Sequence, residues 1–268
     1  MIQRIKNLAT SLVIGGTTGY VALTLLLFLQ QDSMLFLPRP VSTEAAMLYQ
    51  RYEIELNHNG TRLHGWFVPS ATKDSATLVY YGGNGEEMSR SLGAIREIGD
   101  FNYLVMNYRG YGMSEGVPSE LALKQDAVFI LRELSQGGDI RLRRTHLMGR
   151  SLGSGIATHV ASELELASLI LISPYDSLEA VAASHYPIIP VSLLFRHPFR
   201  AIDDVPNITE PTLILKAERD AIIPHRHTDA LIEAWQGVHR TVTLPGTNHN
   251  HIYTPQFYQE VRNFLHQR

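Results

Sequence analysis

Gly149-Arg150-Ser151-Leu152-Gly153 reads G-x-S-x-G, and the residues on either side decide how it folds. Thr145-His146-Leu147-Met148 before it is a short apolar strand candidate, and Gly155 to Leu164 after it is a helix candidate. Strand, tight turn and helix in that order form an elbow that lifts a serine hydroxyl clear of a sheet. Gly149 and Gly153 suit positions where strand and helix pass too close for side chains. The first helical amides then face the place where an oxyanion would develop. An ordinary glycine-rich turn would share the pattern, but two downstream partners favour chemistry.

Outward from the elbow, strand and helix candidates alternate. Toward the N-terminus lie a helix at Glu120–Leu134, a strand at Asn102–Asn107 and a helix at about Glu86–Ile98. The loop Gly82-Gly83-Asn84-Gly85 and a buried strand at Ala76–Tyr81 precede them. Arg51–Leu56 and Thr61–Val68 alternate in polarity around Asn59-Gly60, a strong hairpin signal. Toward the C-terminus follow strands at Ala167–Ile172, Thr212–Lys216 and Thr241–Leu244, with helices at His225–Trp235 and Pro255–Gln267. After an opening hairpin, this order implies a mostly parallel sheet with helices on both faces. Ser173–Pro206 breaks the rhythm with five prolines (174, 187, 190, 198 and 206) and two short helical pieces. It reads as a small cap insertion, residues 174–206. Ser33–Gln50, with Pro38 and Pro40, reads as a connector.

The N-terminus has a different character. No charge occurs from Asn7 to Gln31, and Leu23–Leu29 is almost continuously apolar. At ~1.5 Å rise per residue, roughly 20 such residues cross the hydrocarbon core of a bilayer. Arg4 and Lys6 precede the run and Asp32 follows it, so the positive-inside rule puts the N-terminus in the cytoplasm. No small-x-small cleavage site follows the run. The expectation is an uncleaved signal anchor at residues 1–32, a single-pass membrane protein, and a domain at 33–268 on the far side (periplasmic in a bacterium).

Composition narrows the chemistry. The 268 residues suit one α/β domain with a short appendage. With no cysteine, disulfides, cysteine zinc sites and a cysteine nucleophile are excluded. The net charge is −3, and the basic cluster Arg141-Leu142-Arg143-Arg144 reads as a solvated loop, so no nucleic-acid partner is expected. His225-x-His227 and His249-x-His251 lack the carboxylate or further histidine of a metallohydrolase spacing, so neither metal nor cofactor is expected.

A serine hydroxyl is a poor nucleophile until a base takes its proton, and the base is normally a histidine oriented by a carboxylate. Ser151 is the candidate nucleophile. Asp220 follows the strand Thr212–Lys216, and His249 follows the strand Thr241–Leu244, both just past carboxyl ends of strands. Asp176, Glu218 and Asp229 are alternative acids, and His251 is an alternative base. An oxyanion hole needs two backbone N–H groups, for which Leu152 and Asn84 are the candidates. Each donor of this kind stabilises a transition state by roughly 3 kcal/mol.

Asn107-Tyr108-Arg109-Gly110-Tyr111-Gly112-x-Ser114-x-Gly116, together with the elbow, Asp220-x-x-x-Pro224 and the apolar N-terminus, resembles the membrane-anchored α/β-hydrolase-domain serine hydrolases. That group holds depalmitoylating thioesterases, lysophospholipid lipases and bacterial relatives. The resemblance runs from about Ser33 to the C-terminus. It implies the α/β-hydrolase fold and a structural role for Arg109. The chain departs from the family's pattern at two places. Gly82 stands where a histidine is usual, and Asn248 and His251 replace the Gly and Asp that flank the base. The expected activity is cleavage of a carboxylic ester or thioester through a Ser-His-Asp triad and an acyl-enzyme, on a small-molecule or lipid-like acyl substrate. A peptidase of the same fold and a non-catalytic binding protein on this scaffold are the alternatives.

Overall fold

In the computed structural model, which describes residues 2–266, Asn59 and Gly60 both take positive φ, 51° and 79°. A primed two-residue turn needs that conformation. It closes the hairpin between β1 (Glu53–His58) and β2 (Thr61–Val68) in the register Glu53 opposite Trp66. The remaining strands are β3 (Thr77–Tyr81), β4 (Asn102–Met106), β5 (Thr145–Arg150), β6 (Ser168–Ile172), β7 (Thr212–Arg219) and β8 (His239–Asn248). Among the described residues, eight strands form one sheet in the order β1-β2-β4-β3-β5-β6-β7-β8. β1, β2 and β4 pair antiparallel, and every pairing from β4 through β8 is parallel. Strands β3, β5 and β6 are buried at every residue, as strands covered on both faces are.

The helices are α1 (Ile2–Leu35), α2 (Thr43–Tyr49), α3 (Met88–Arg96), α4 (Glu120–Gly137), α5 (Leu152–Glu163), α6 (Leu178–His185), α7 (Val191–Leu194), α8 (Ala201–Asp204), α9 (His225–Ala234) and α10 (Pro255–Leu265). One face of the sheet is covered by α4, α5 and α9 through Leu123, Leu131, Ile156, Val160 and Leu231. The other is covered by α3 and α10 through Leu92, Ile95, Phe257, Val261 and Phe264. In α4 the apolar stripe Leu123, Ala127, Leu131 and Leu134 faces inward, Ser119 caps its first turn, and Gly138 ends it at φ 83°. This is the α/β-hydrolase architecture that the sequence implies.

Some boundaries differ from those expected. α5 begins at Leu152 rather than Gly155, because the turn at Ser151 leads directly into the helix. The connector contains α2, whose Ser42 side chain accepts a hydrogen bond from Ala45 N–H; seven residues are too few for a periodic signal. The segment between β6 and β7 holds three short α-helices and a 3-10 turn at Val205–Asn207, not two helical pieces. α1 runs past residue 32 to Leu35.

Among the described residues, α1 is the one helix long and apolar enough to cross a membrane. Its first half stands free, and from Tyr20 onward it lies along the segment between β6 and β7. Tyr20 donates to the Ile188 carbonyl at 2.7 Å, Gln31 donates to the Leu194 carbonyl at 3.2 Å, and Arg196 pairs with Asp32 at 2.9 Å.

Candidate active site

The elbow is built by close approach. A Cβ at Gly149 would come within 2.4 Å of the Gly153 carbonyl oxygen, and one at Gly153 within 2.1 Å of the Tyr81 carbonyl oxygen. Only glycine lets β5, α5 and the end of β3 meet there. Ser151 between them has φ 51° and ψ −121°, a strained conformation for a serine, costing about 1–3 kcal/mol. Its N–H is held by the Ile172 carbonyl at 2.9 Å, and Ser154 donates back to its carbonyl. Leu152 is the first residue of α5, so its N–H has no intrahelical partner.

A hydrogen-bonded chain crosses from this turn to the ends of β7 and β8. His249 Nε2 is 3.0 Å from Ser151 Oγ, and His249 Nδ1 is 2.9 Å from Asp220 Oδ2. All three side chains are screened from solvent. Burial raises the Asp220 carboxyl's pKa. Hydrogen bonds from His249 and the Ile223 N–H, with the field of His249, outweigh that and hold it below the usual carboxylate value. Ile222 and Ile223 N–H both donate to Asp220, at 3.0 and 2.8 Å, so the carboxylate is pinned from behind.

The alternative acids and base are engaged elsewhere. Asp176 pairs with His227 Nδ1 at 3.0 Å, and His227 Nε2 lies 3.2 Å from Ser184 Oγ. Glu218 accepts from Gly246 N–H, and Asp229 pairs with Lys216. His251 bonds Asn248 Oδ1 from an exposed position.

Three features went unread in the sequence. Arg150, the first variable residue of G-x-S-x-G, is buried, forms an ion pair with Glu86 and donates to the His249 carbonyl at 2.6 Å. It therefore ties the elbow, the loop after β3 and the histidine loop together. Glu86 also accepts from Tyr80 at 2.6 Å, and Tyr80 shares a 2.8 Å hydrogen bond with Tyr253. A charged residue at the end of an otherwise apolar strand was the available signal, since a buried charge demands a partner. Second, the tyrosines of the Asn107–Gly116 motif hold the glycine-rich loop. Tyr108 donates to the Gly82 carbonyl at 2.7 Å and Tyr111 to the Asn84 carbonyl at 2.8 Å. Third, Asp126 receives Arg109 in a bidentate pair at 2.6 and 2.9 Å, which gives that arginine a structural place.

The loop itself lies beside the elbow: a Cβ on Gly83 would sit 3.7 Å from Ser151 Cβ. Asn84 follows it, and its side chain donates to the Leu35 carbonyl at 3.1 Å, leaving its backbone to set the loop's course. The two departures from the family pattern have local explanations. At Gly82 a Cβ would meet Met88 Cε at 2.3 Å and Glu86 Oε2 at 2.9 Å, so the space of a histidine is already filled. Asn248 Oδ1 accepts from the N–H groups of Asn250 and His251 at 3.0 and 3.1 Å, a turn that holds the loop around His249.

Among the described residues, no group of three or more His, Asp or Glu side chains is placed to hold a metal ion. A separate apolar cavity of about 230 Å³ lies between α1 and the segment from α6 to α7.

No protein-family model matches the chain. It is 32% identical over 227 residues to an uncharacterized protein of Mycobacterium tuberculosis, covering 82% of this chain and 81% of that one. The lysophosphatidylserine lipase ABHD12 of Danio rerio is 27% identical over 238 residues, covering 75% of this chain and 60% of the lipase. Among solved structures, the Pyrococcus furiosus esterase Pf2001 matches in fold with a TM-score of 0.67 at 17% identity, over 86% of this chain and 98% of the esterase.

Proposed function

We propose that this chain, which has the α/β-hydrolase fold, is a serine hydrolase that cleaves carboxylic esters or thioesters. The observation that carries the proposal is the hydrogen-bonded order Ser151 Oγ, His249 Nε2, His249 Nδ1, Asp220, at 3.0 and 2.9 Å. That order couples a hydroxyl to a base and the base to a fixed carboxylate.

In the proposed mechanism Ser151 Oγ attacks the acyl carbonyl carbon while its proton passes to His249 Nε2. The carbonyl oxygen takes the negative charge and is held by the N–H groups of Leu152 and Asn84. His249 then returns the proton to the departing alcohol or thiol, leaving an ester on Ser151. A water attacks that ester as its proton passes to His249, which then gives it to Ser151 Oγ as the carboxylic acid leaves. Asp220 keeps the Nδ1 proton in place and stabilises the imidazolium, which is why its ionised form matters. The strained turn at Ser151 and the strut from Arg150 to the His249 carbonyl supply the fixed geometry.

In the same proposal, α1 anchors a domain of residues 33–268 in the membrane, with that domain on the side away from the cytoplasm. Arg4 and Lys6 before the apolar run support that orientation. The lipase among the relatives supports a lipid-like acyl substrate. Labelling with a fluorophosphonate probe, followed by matched series of esters, thioesters and amides, tests the chemistry. Labelling that depends on Ser151, with ester or thioester turnover, is the expected result. Protein that neither labels nor turns over any acyl substrate would sink the proposal. Protease added to intact spheroplasts should digest the domain, and protection would invert the topology.

A further inference from the structure

We infer that the cap segment from Tyr186 to Phe195 is embedded in the membrane leaflet next to the catalytic domain, alongside α1, and that the cavity between them receives a hydrocarbon chain of a bilayer lipid. The inference rests on the reading of α1 as a membrane anchor.

The polarity of the two segments is in register. Tyr186-Pro187-Ile188-Ile189-Pro190-Val191-Ser192-Leu193-Leu194-Phe195 carries no charge, like the run of α1 that ends at Gln31. The first charged residues after each run, Arg196 and Asp32, pair with one another at 2.9 Å, and His197 lies 3.3 Å from the same carboxylate. The polar boundary of the cap and that of the anchor are therefore at one level. Beyond that boundary the segments stay together as far as Tyr20, which donates to the Ile188 carbonyl at 2.7 Å. Asp32 and Tyr20 are separated by about 18 Å of helix at ~1.5 Å per residue. Roughly 6 Å of that is headgroup layer and the rest is hydrocarbon, in a leaflet whose hydrocarbon is about 15 Å deep. An anchor that spans the bilayer thus carries the cap tip well below the headgroups.

The side chains and backbone suit that medium. Ile188 is 70% exposed, Leu193 83% and Tyr186 41%, an apolar face with nothing of the protein over it. Backbone in hydrocarbon must satisfy its own polar groups. Pro187 and Pro190 have no N–H. Ile189, Val191, Leu193 and Phe195 N–H groups donate to carbonyls within the segment. The Ile188 and Leu194 carbonyls are taken by Tyr20 and Gln31 of α1.

The cavity of about 230 Å³ follows the same seam. Leu27 and Phe28 of α1 form one wall, and Val181, Leu194 and Phe195 of the cap form the other. The Gln31 amide in its lining is already bonded to Phe28, Leu194 and Arg196, so it has little to offer water. A cleft with so apolar a lining suits an apolar guest. The lining ends at Leu35, whose carbonyl is bonded by the Asn84 side chain at 3.1 Å. That bond sets the Leu35 end of the seam against the loop that carries Asn84.

The absence of cysteine makes single labelling sites simple. Ile188→Cys, Leu193→Cys, Leu25→Cys in the anchor and Val238→Cys on the domain surface each carry an environment-sensitive dye. The full chain is reconstituted in phosphatidylcholine vesicles containing lipids with a nitroxide quencher on the acyl chain. Quenching at 188, 193 and 25, with none at 238, is the expected result. Quenching at 25 without quenching at 188 and 193 overturns the inference while leaving the anchor intact. No quenching at 25 means that the anchor reading itself has failed, and the inference with it. The charged double variant Ile188→Glu with Leu193→Glu should lose at least tenfold in turnover of a long-chain ester held in vesicles. It should keep its turnover of a short, water-soluble ester. Equal turnover of the vesicle-held ester by variant and parent would overturn the assignment of the seam to the lipid chain.

Discussion

Among the described residues, two serine hydroxyls are each hydrogen-bonded to one ring nitrogen of a histidine whose other ring nitrogen is hydrogen-bonded to an aspartate. In Ser151–His249–Asp220 the distances are 3.0 and 2.9 Å, and in Ser184–His227–Asp176 they are 3.2 and 3.0 Å. Side-chain geometry barely separates the two arrays. Backbone context does. Ser151 occupies a turn at φ 51° before the first residue of α5, where helical N–H groups are unpaired. Ser184 sits inside α6, and its hydroxyl donates to the Val181 carbonyl at 2.8 Å. It lies in the last turn of α6 rather than ahead of a helix's first residue. The second array ties α6 to α9 across the domain. The lesson is that a Ser-His-Asp chain becomes a candidate for catalysis through the amides around the serine, not through its three side chains alone.

The comparison can be broken most directly at the serines. Ser151→Ala should abolish fluorophosphonate labelling and lower kcat by roughly 10⁵–10⁶-fold, while Ser184→Ala should leave both within about twofold of the parent. Labelling that moves to Ser184, read by mass spectrometry of the probe adduct, would reverse the assignment. Among the carboxylates, Asp220→Asn should cost roughly 10⁴-fold in kcat with the fold intact. Asp176→Asn should leave kcat unchanged and lower the unfolding free energy by about 1–3 kcal/mol, because His227 loses its partner. Steady-state kinetics and urea unfolding of the two variants separate these roles.

Arg150 sharpens the contrast, since only the first array has such a strut. Arg150→Met should reduce kcat by roughly tenfold to a hundredfold through displacement of the His249 loop. It should also destabilise by about 1–3 kcal/mol, because the part-buried Glu86 carboxylate loses its charged partner and keeps only neutral donors such as Tyr80. Unchanged kcat in a folded Arg150→Met protein would limit the arginine to a packing role. His251→Ala, whose side chain bonds only its own turn, should keep kcat within about twofold.

Acid gives the smallest effect. The Asp220 carboxyl is held below the usual 3.8. A depressed carboxylate adds stability that is fully present above the unfolded value and disappears as pH falls through the folded one. The stability gap between the parent and Asp220→Asn should therefore be constant well above 3.8 and narrow as pH falls below it. A gap that does not narrow in acid would mean that the carboxyl's charge is not what stabilises.

Much of this was legible before any coordinates. Asn59-Gly60 announced its hairpin, because a primed turn needs two residues that tolerate positive φ. The apolar strands and striped helices placed the sheet, because burial on both faces leaves a periodic trace. Ser151, Asp220 and His249 could be named from their places after strand ends. α2 was not legible, since seven residues leave too short a pattern, nor was the role of Asp126, which lies 17 positions from Arg109 in the chain.

What the sequence determined by itself is local: which segments become strands, where the chain must turn left-handed, and that glycine alone fits at positions 149 and 153. These follow from sterics and periodicity acting over a few residues. Only the tertiary structure decided the partnerships. The order of residues favours Asp220 over Asp176 without bringing either to His249, and it does not show that Arg150 reaches a carbonyl 99 positions away. Nor does it show that the tip of the cap lies against the middle of the N-terminal helix. Those choices are made by which strand ends are brought side by side in the sheet, and by the requirement that each buried charge find a partner there.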